Sequence, residues 1–295
     1  MRFPSRTLRP AAALAFVLAA SAAAQAQTAA ERGKAIFDAA GCYACHTEKG
    51  GPAMAGGPPL PTPFGTFYAP NITPDPDTGI GKWSDDDFVR ALREGMSPSG
   101  QPFYPVFPYT AYTRMTRQDM LDLRAYLNTL APVKRASRRH DLKFPYSVRA
   151  SLYPWRWLNF TAGEYTPDKA HDAQWNRGAY IVEALSHCGE CHTPRDFLGG
   201  LKNDLKLSGA RMPVGNLVAS NLTPDKSGLA DWSAGDIAAA LETGELPEGG
   251  TLGGEMGEVV ANSTSKMSKD DRAAIVAYLK SLKPIATTVA KKKKD

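Results

Sequence analysis

Two stretches of this chain repeat each other, piece by piece and in the same order. Asn71-Ile72-Thr73-Pro74-Asp75 returns as Asn221-Leu222-Thr223-Pro224-Asp225, and Trp83-Ser84 returns as Trp232-Ser233. Ala91-Leu92 and Gly95 return as Ala240-Leu241 and Gly244, and Ala125-Tyr126-Leu127 returns as Ala277-Tyr278-Leu279. Cys42-Tyr43-Ala44-Cys45-His46 returns as Cys188-Gly189-Glu190-Cys191-His192. The period is far longer than the roughly 20–50 residues of a solenoid repeat. The sequence therefore predicts one domain made twice.

Each copy reads as helical. Thr28-Ala29-Ala30-Glu31 is a capping box, and the helix it opens reaches about Gly41. Ser84 caps a second helix, Asp85, Asp86 and Asp87 complement its dipole, and Gly95 ends it. Thr116 to Asp119 caps a third helix that stops before Pro132. In the second half Asp172, Ser233 with Asp236, and Ser268 with Asp271 mark the corresponding starts. No run alternates as a strand should. The expectation is an all-α chain of two tandem domains, 27–132 and 172–284, each of about three helices with long loops. A connector spans 133–171 and a tail spans 285–295. The loops, rich in the chain's 26 Gly and 23 Pro, are too long for a helical core alone, so something else must fill each centre.

Cys-x-x-Cys-His is the attachment signature of c-type haem. Two thiols at this spacing reach one edge of the macrocycle, and the adjacent histidine reaches the iron from beneath. Three other readings compete: a four-thiolate zinc site from all four cysteines, redox dithiols, or plain disulfides. The first leaves each histidine unexplained. The second lacks the strand–helix alternation of a thioredoxin fold.

With these residues in view, the chain after residue 26 resembles a dihaem class I cytochrome c. It is similar to the multihaem cytochrome c subunits of bacterial membrane-linked alcohol, aldehyde and sugar-acid dehydrogenases. The resemblance rests on both Cys-x-x-Cys-His motifs, both Asn-Ile/Leu-Thr-Pro-Asp segments, Trp83, Trp232 and the two Ala-Tyr-Leu helices. It implies two covalently bound haem c groups, held by Cys42, Cys45, Cys188 and Cys191, with His46 and His192 on the irons. It also implies that the first and last helices of each domain cross. Gly33 and Phe37 should meet the Tyr126 helix, and Gly178 the Tyr278 helix. The related dehydrogenase subunits usually carry three haems, whereas two motifs stand here.

In such proteins a methionine from the loop before the last helix completes the iron. Twelve residues after Gly244 lies Met256; twelve after Gly95 lies Phe107, which cannot ligate. Met256 is the expected ligand of the second haem. For the first, Met115 is the nearest substitute, but it aligns with Met267, just before a helix cap where an apolar residue packs as a staple. Met54, Met96 or an open iron remain alternatives. His140 and His171 are expected at the surface, and His187 on the proximal loop.

Arg2, Arg6 and Arg9, an apolar run from Ala11 to Ala20, and Ala24-Gln25-Ala26 read as a secretory signal peptide. The expected location is the periplasm. Loss of residues 1–26 would lower the net charge from +5 to +2, too small an excess to argue for nucleic acid. No later stretch is long and apolar enough to span a bilayer. The connector is basic (Lys134, Arg135, Arg138, Arg139, Lys143, Arg149, Arg156) and aromatic (Tyr153, Trp155, Trp157, Phe160). It suits haem propionates or an acidic partner, or else packs between the domains. Lys291 to Lys294 read as a solvated tail, with peripheral attachment to an anionic membrane as the alternative. The functional expectation is single-electron transfer, from a dehydrogenase to a cytochrome, oxidase or quinone-linked complex of the respiratory chain. A dihaem peroxidase or sulfur-compound oxidoreductase working at an open first haem is the alternative.

Overall fold

Helix caps set the frame. The computed structural model describes residues 27–212 and 217–289; the expected leader and Lys291 to Lys294 lie outside the described residues. The first half contains α1 (Ala29–Ala39), α2 (Cys42–His46), β1 (Pro59–Thr62), β2 (Gly65–Tyr68), α3 (Asp85–Glu94), α4 (Tyr109–Tyr112) and α5 (Arg117–Leu127). The connector adds β3 (Asp141–Leu142) and α6 (Leu152–Asn159). The second half contains α7 (Ala173–Tyr180), α8 (Gly189–His192), β4 (Ala210–Arg211), β5 (Val218–Ala219), α9 (Ala234–Glu242), α10 (Gly254–Asn262) and α11 (Lys269–Ser281). A π-helical turn, Ile181–Leu185, continues α7.

Thr28, Ser84 and Ser233 close capping boxes with Glu31, Asp87 and Asp236. Thr116 and Ser268 each accept a hydrogen bond from the backbone N–H three residues on. These are the starts the sequence marks. The expectation of about three helices per half and no strands needs revision. Short helices α2, α4, α8 and α10 interrupt the loops, and β1, β2 and β3 pair antiparallel, as do β4 and β5. Pro59 and Pro61 in β1, and a Gly65 turn at φ 122°, break the alternation that would have signalled a ribbon.

Each half is built on a close helix crossing. A Cβ on Gly33 of α1 would lie 1.9 Å from the Asp122 carbonyl of α5, and one on Gly178 of α7 would lie 1.9 Å from the Ala274 carbonyl of α11. Phe37 packs on Tyr126 with ring centroids 5.0 Å apart. The Arg32 guanidinium adds a forked pair to Asp122 at 2.6 and 2.9 Å.

The repeated Asn-x-Thr-Pro-Asp segment is a buried clasp. The Asn71 amide donates to the Val133 carbonyl at 2.8 Å, and its oxygen accepts from the Thr73 N–H and hydroxyl. Asn221 repeats this with the Ile285 carbonyl at 2.7 Å and with Thr223. Each clasp ties the chain leaving the last helix back to the loop below. One hydrophobic core runs through both halves, from Ile36 and Phe37 to Ile181, Leu185 and Tyr278.

The connector is not a free linker. Arg135 pairs with Glu48 at 2.5 Å, Arg138 lies over the Tyr68 ring, and Arg156 lies over Tyr109 and Phe160. Trp155 donates to the Leu198 carbonyl of the second half, while Trp157 stays 83% exposed. His140 departs from the surface placement: it is half-buried against the Phe67 and Tyr104 rings. His171 stacks on Trp175.

Candidate functional site

The two Cys-x-x-Cys-His motifs form α2 and α8, each one turn of helix entered from a left-handed residue or its successor. That turn brings both thiols and the imidazole of a motif to neighbouring positions. All four cysteines are free thiols. Burial pushes the Cys42 and Cys188 thiols up to about 12 and Cys191 up to about 11, and raises Cys45 as well. They are held as neutral thiols. Among the described residues no three His, Cys, Asp or Glu side chains converge to hold a metal ion, so the four-thiolate site loses its geometry.

The histidines carry the clearest signal. His46 Nδ1 lies 2.8 Å from the Pro70 carbonyl oxygen, and His192 Nδ1 lies 2.6 Å from that of Ser220. A carbonyl only accepts, so Nδ1 bears the proton in both rings and Nε2 keeps its lone pair. Burial lowers both imidazole pKa values, which favours the neutral ring. Among the described residues neither Nε2 has a hydrogen-bond partner. A neutral imidazole oriented through its other nitrogen is the arrangement a metal ligand needs. Two neutral thiols beside it complete the donor set for a thioether-linked haem, so the residues fit the group.

Below each motif the same supports recur. Thr47 Oγ1 accepts from the Met54 N–H at 3.1 Å, and Thr193 Oγ1 accepts from the Leu207 N–H at 3.0 Å. Met54 and Leu207 both sit at φ 60°, and their carbonyls accept from Ile72 and Leu222. Met54 is therefore the counterpart of a leucine and packs in the core.

The loop after the second capped helix also keeps one register. The Phe103 N–H donates to the Gly95 carbonyl at 2.8 Å, and the Leu252 N–H donates to that of Gly244 at 2.7 Å. Phe107 and Met256 each lie four residues beyond that bond and are structural counterparts. Met256 is half-buried on α10. Phe107 packs among Phe103, Tyr109 and Tyr112. Met115 is fully buried at 0% exposure and Met267 at 8%; each stands immediately before the cap of the last helix in its half. Met96 forms a bridge with Pro102 that Glu245 and Thr251 repeat.

The comparison with known proteins agrees with this duplicated geometry. The cytochrome c family model matches residues 30–131 and again 176–283. The chain belongs to the cytochrome c family. This cytochrome is 44% identical over 261 residues to a diheme cytochrome c-type protein of Cereibacter sphaeroides, covering 85% of each chain. It is 42% identical over 267 residues to the gluconate 2-dehydrogenase cytochrome c subunit of Pantoea cypripedii, covering 85% of this chain and 59% of that one. It is 39% identical over 255 residues to the fructose dehydrogenase cytochrome subunit of Gluconobacter japonicus, covering 85% of this chain and 52% of that one. The chain thus spans somewhat more than half the length of these two dehydrogenase subunits. Haem c is the cofactor that this family implies, and electron transfer its role. No helix among the described residues is long and apolar enough to cross a membrane.

Sequence reasoning missed how the two motifs meet. Tyr112, on α4 of the first half, packs on the His187 ring just before the second motif, with centroids 5.5 Å apart. The Ser186 and Ser263 hydroxyls both donate to the Ala39 carbonyl, at 3.0 and 3.1 Å. Thr110 donates to Glu190 at 2.5 Å. These are contacts between distant segments, which no local sequence pattern encodes.

Proposed function

We propose that this cytochrome carries two haem c groups and passes single electrons from a dehydrogenase toward the respiratory chain, as an exported periplasmic protein. The observation that carries the reading is the identical seating of His46 and His192, each fixed by a backbone carbonyl at Nδ1 with Nε2 presented beside two thiols. Bound haem supplies one-electron exchange at iron. The chain's own residues do the rest. Cys42 and Cys45 anchor the first group and Cys188 and Cys191 the second. His46 and His192 hold their rings in one tautomer and one orientation.

Met256 offers a thioether to the second site. Phe107, its counterpart, offers none to the first, and Met115 matches Met267 as a buried residue preceding a helix cap. The two sites are therefore unequal, and the second has the higher potential, because a methionine ligand raises it. The dehydrogenase subunits among the relatives support a dehydrogenase as electron donor.

An optical redox titration with low-temperature magnetic circular dichroism tests this. Two one-electron steps with a His/Met signature at the higher potential are expected. Substantial peroxide turnover, abolished by His46→Ala, would instead favour an enzyme working at an open first site. A peroxidase needs distal acid–base groups, and the titratable rings packed on Phe107 are the phenols of Tyr109 and Tyr112, whose pKa values burial raises.

A further inference from the structure

His46 is held through a short length of chain, residues 68–72, which runs between the first motif and the connector. On the motif side the Pro70 carbonyl holds His46 Nδ1 at 2.8 Å, and the Ala69 carbonyl accepts from the Gly57 N–H at 3.2 Å. Gly57 in turn lies against the motif, since a Cβ on it would stand 1.6 Å from the Cys45 carbonyl oxygen. On the connector side the Asn71 N–H donates to the Ser137 hydroxyl oxygen at 3.0 Å, and the Asn71 amide donates to the Val133 and Arg135 carbonyls. The Tyr68 N–H donates to His140 Nδ1 at 3.3 Å. Proline has no N–H of its own, so these neighbours set where the Pro70 carbonyl lies.

His140 is the one member of this backing whose bond depends on charge. Its ring packs edge-on against the buried Phe67 and Tyr104 rings, at 5.2 and 5.4 Å. Nδ1 accepts only while it carries no proton, so the neutral ring makes the bond to Tyr68 and the imidazolium loses it. The charged and titratable groups around it are Arg149 over the Tyr104 ring, Arg138 over the Tyr68 ring, and the exposed Asp141 next in the chain. The Tyr104 hydroxyl donates to the Tyr146 carbonyl. Burial, and then Arg149, lower the imidazole pKa. The second half has no such ring. There the Ile285 and Thr287 N–H groups bond Thr223 and Ser227 as those of Val133 and Arg135 bond Thr73 and Thr78. Counting on, Val289 stands for Ser137, and Lys292, outside the described residues, stands for His140.

We infer that His140 is a positioning residue for His46: its neutral ring holds the strand that bears the Pro70 carbonyl, and its protonation releases that strand, so that acid raises the potential of the first haem and not of the second. The inference rests on the proposed two-haem reading. A full hydrogen bond at Nδ1 makes the other ring nitrogen of His46 more basic, and a more basic ligand favours ferric iron. Slackening the bond favours ferrous iron, and the positive charge gained by His140 acts in the same sense. One proton enters from water at His140 Nδ1, and no covalent bond of the chain breaks. By linkage, reduction at the first site makes His140 hold that proton more tightly.

The test uses the holoprotein. His140→Asn keeps an oxygen acceptor in the place of Nδ1 and cannot titrate. His140→Phe fills the space with neither acceptor nor charge. Optical redox titrations from about pH 8 to about pH 5, spanning the histidine range, read both potentials. Hydrogen exchange reads the protection of the Tyr68 amide. In the parent the first potential should rise as pH falls below about 6.5. His140→Asn should keep the parent's neutral-pH value throughout, His140→Phe should hold a higher value throughout, and the second potential should be the same in all three. Tyr68 protection should fall in acid in the parent and be low at every pH in His140→Phe alone. An acid rise of the first potential in His140→Asn as large as the parent's would overturn the inference. Equal first potentials in the two variants would also overturn it, since the charge of the ring would then act without the strand. A single haem by mass would overturn the reading beneath it instead.

Discussion

Gly33→Ala should loosen the first half. In an isolated helix the change would help, since alanine is favoured over glycine by about 1 kcal/mol. Here the new Cβ would lie 1.9 Å from the Asp122 carbonyl oxygen and 2.9 Å from the Tyr126 Cβ. A carbon normally approaches a carbonyl oxygen no closer than about 3.3 Å. The obstacle is backbone, which no rotamer change can clear, so α1 and α5 must part by an ångström or more. A gap of that size forfeits about a quarter to a half of each affected dispersion contact, among them Phe37 on Tyr126. The forked Arg32–Asp122 pair is stretched too. We expect a net loss of about 3 kcal/mol, the upper end of the overpacking range. The assay is urea unfolding followed by far-ultraviolet circular dichroism. Gly178→Ala should behave alike, because its Cβ meets the Ala274 carbonyl at the same 1.9 Å. Gly163→Ala, with nothing within 4 Å, is the neutral control. A Gly33→Ala protein as stable as the parent would refute the crossing as the organising contact.

Three further outcomes follow from the sites and their surroundings. Met256→Ala should lower the second haem's potential and open its iron to carbon monoxide, while an unchanged spectrum would remove Met256 as the ligand. Met115→Leu should leave the spectrum intact and cost less than about 1.5 kcal/mol, as a volume-conserving core change does; loss of a His/Met signature would make Met115 the first ligand. The Arg32 hydrogen bonds hold the Asp122 carboxyl below its ordinary value. A folded-state pKa below the unfolded one contributes stability above the unfolded value and loses it as pH falls through the folded one. Acid unfolding below about pH 4 should therefore be shallower in Asp122→Asn, which should also be less stable at neutral pH; parallel curves would show that Asp122 does not contribute.

What could be read from the sequence was what local chemistry writes. Thr28, Ser84, Thr116, Ser233 and Ser268 cap helices because a short oxygen before a helix start satisfies free N–H groups. Gly33 and Gly178 were placed at the crossings by resemblance, and the 1.9 Å approaches supply the reason. The pairing of Phe107 with Met256 followed from counting, and the matching bonds to Gly95 and Gly244 give it a physical register. The ribbons stayed hidden because Pro59, Pro61 and Gly65 erase the alternation. Helix α10 stayed hidden because Gly253, Gly254 and Gly257 are poor helix formers. The half-burial of His140 and the meeting of Tyr112 with His187 were beyond reach, since no local pattern encodes which distant surface covers a side chain. The connector's arginines could be counted, but their inward pairing with Glu48, Tyr68 and Tyr109 depends on the folded chain.

Intact-mass spectrometry of the purified holoprotein, after acid–acetone extraction, tests the central claim most directly. Two covalent haems are predicted, one on Cys42 and Cys45 and one on Cys188 and Cys191, with Cys188→Ala weakening attachment in the second half alone. A single haem, none, or bound zinc would contradict the account.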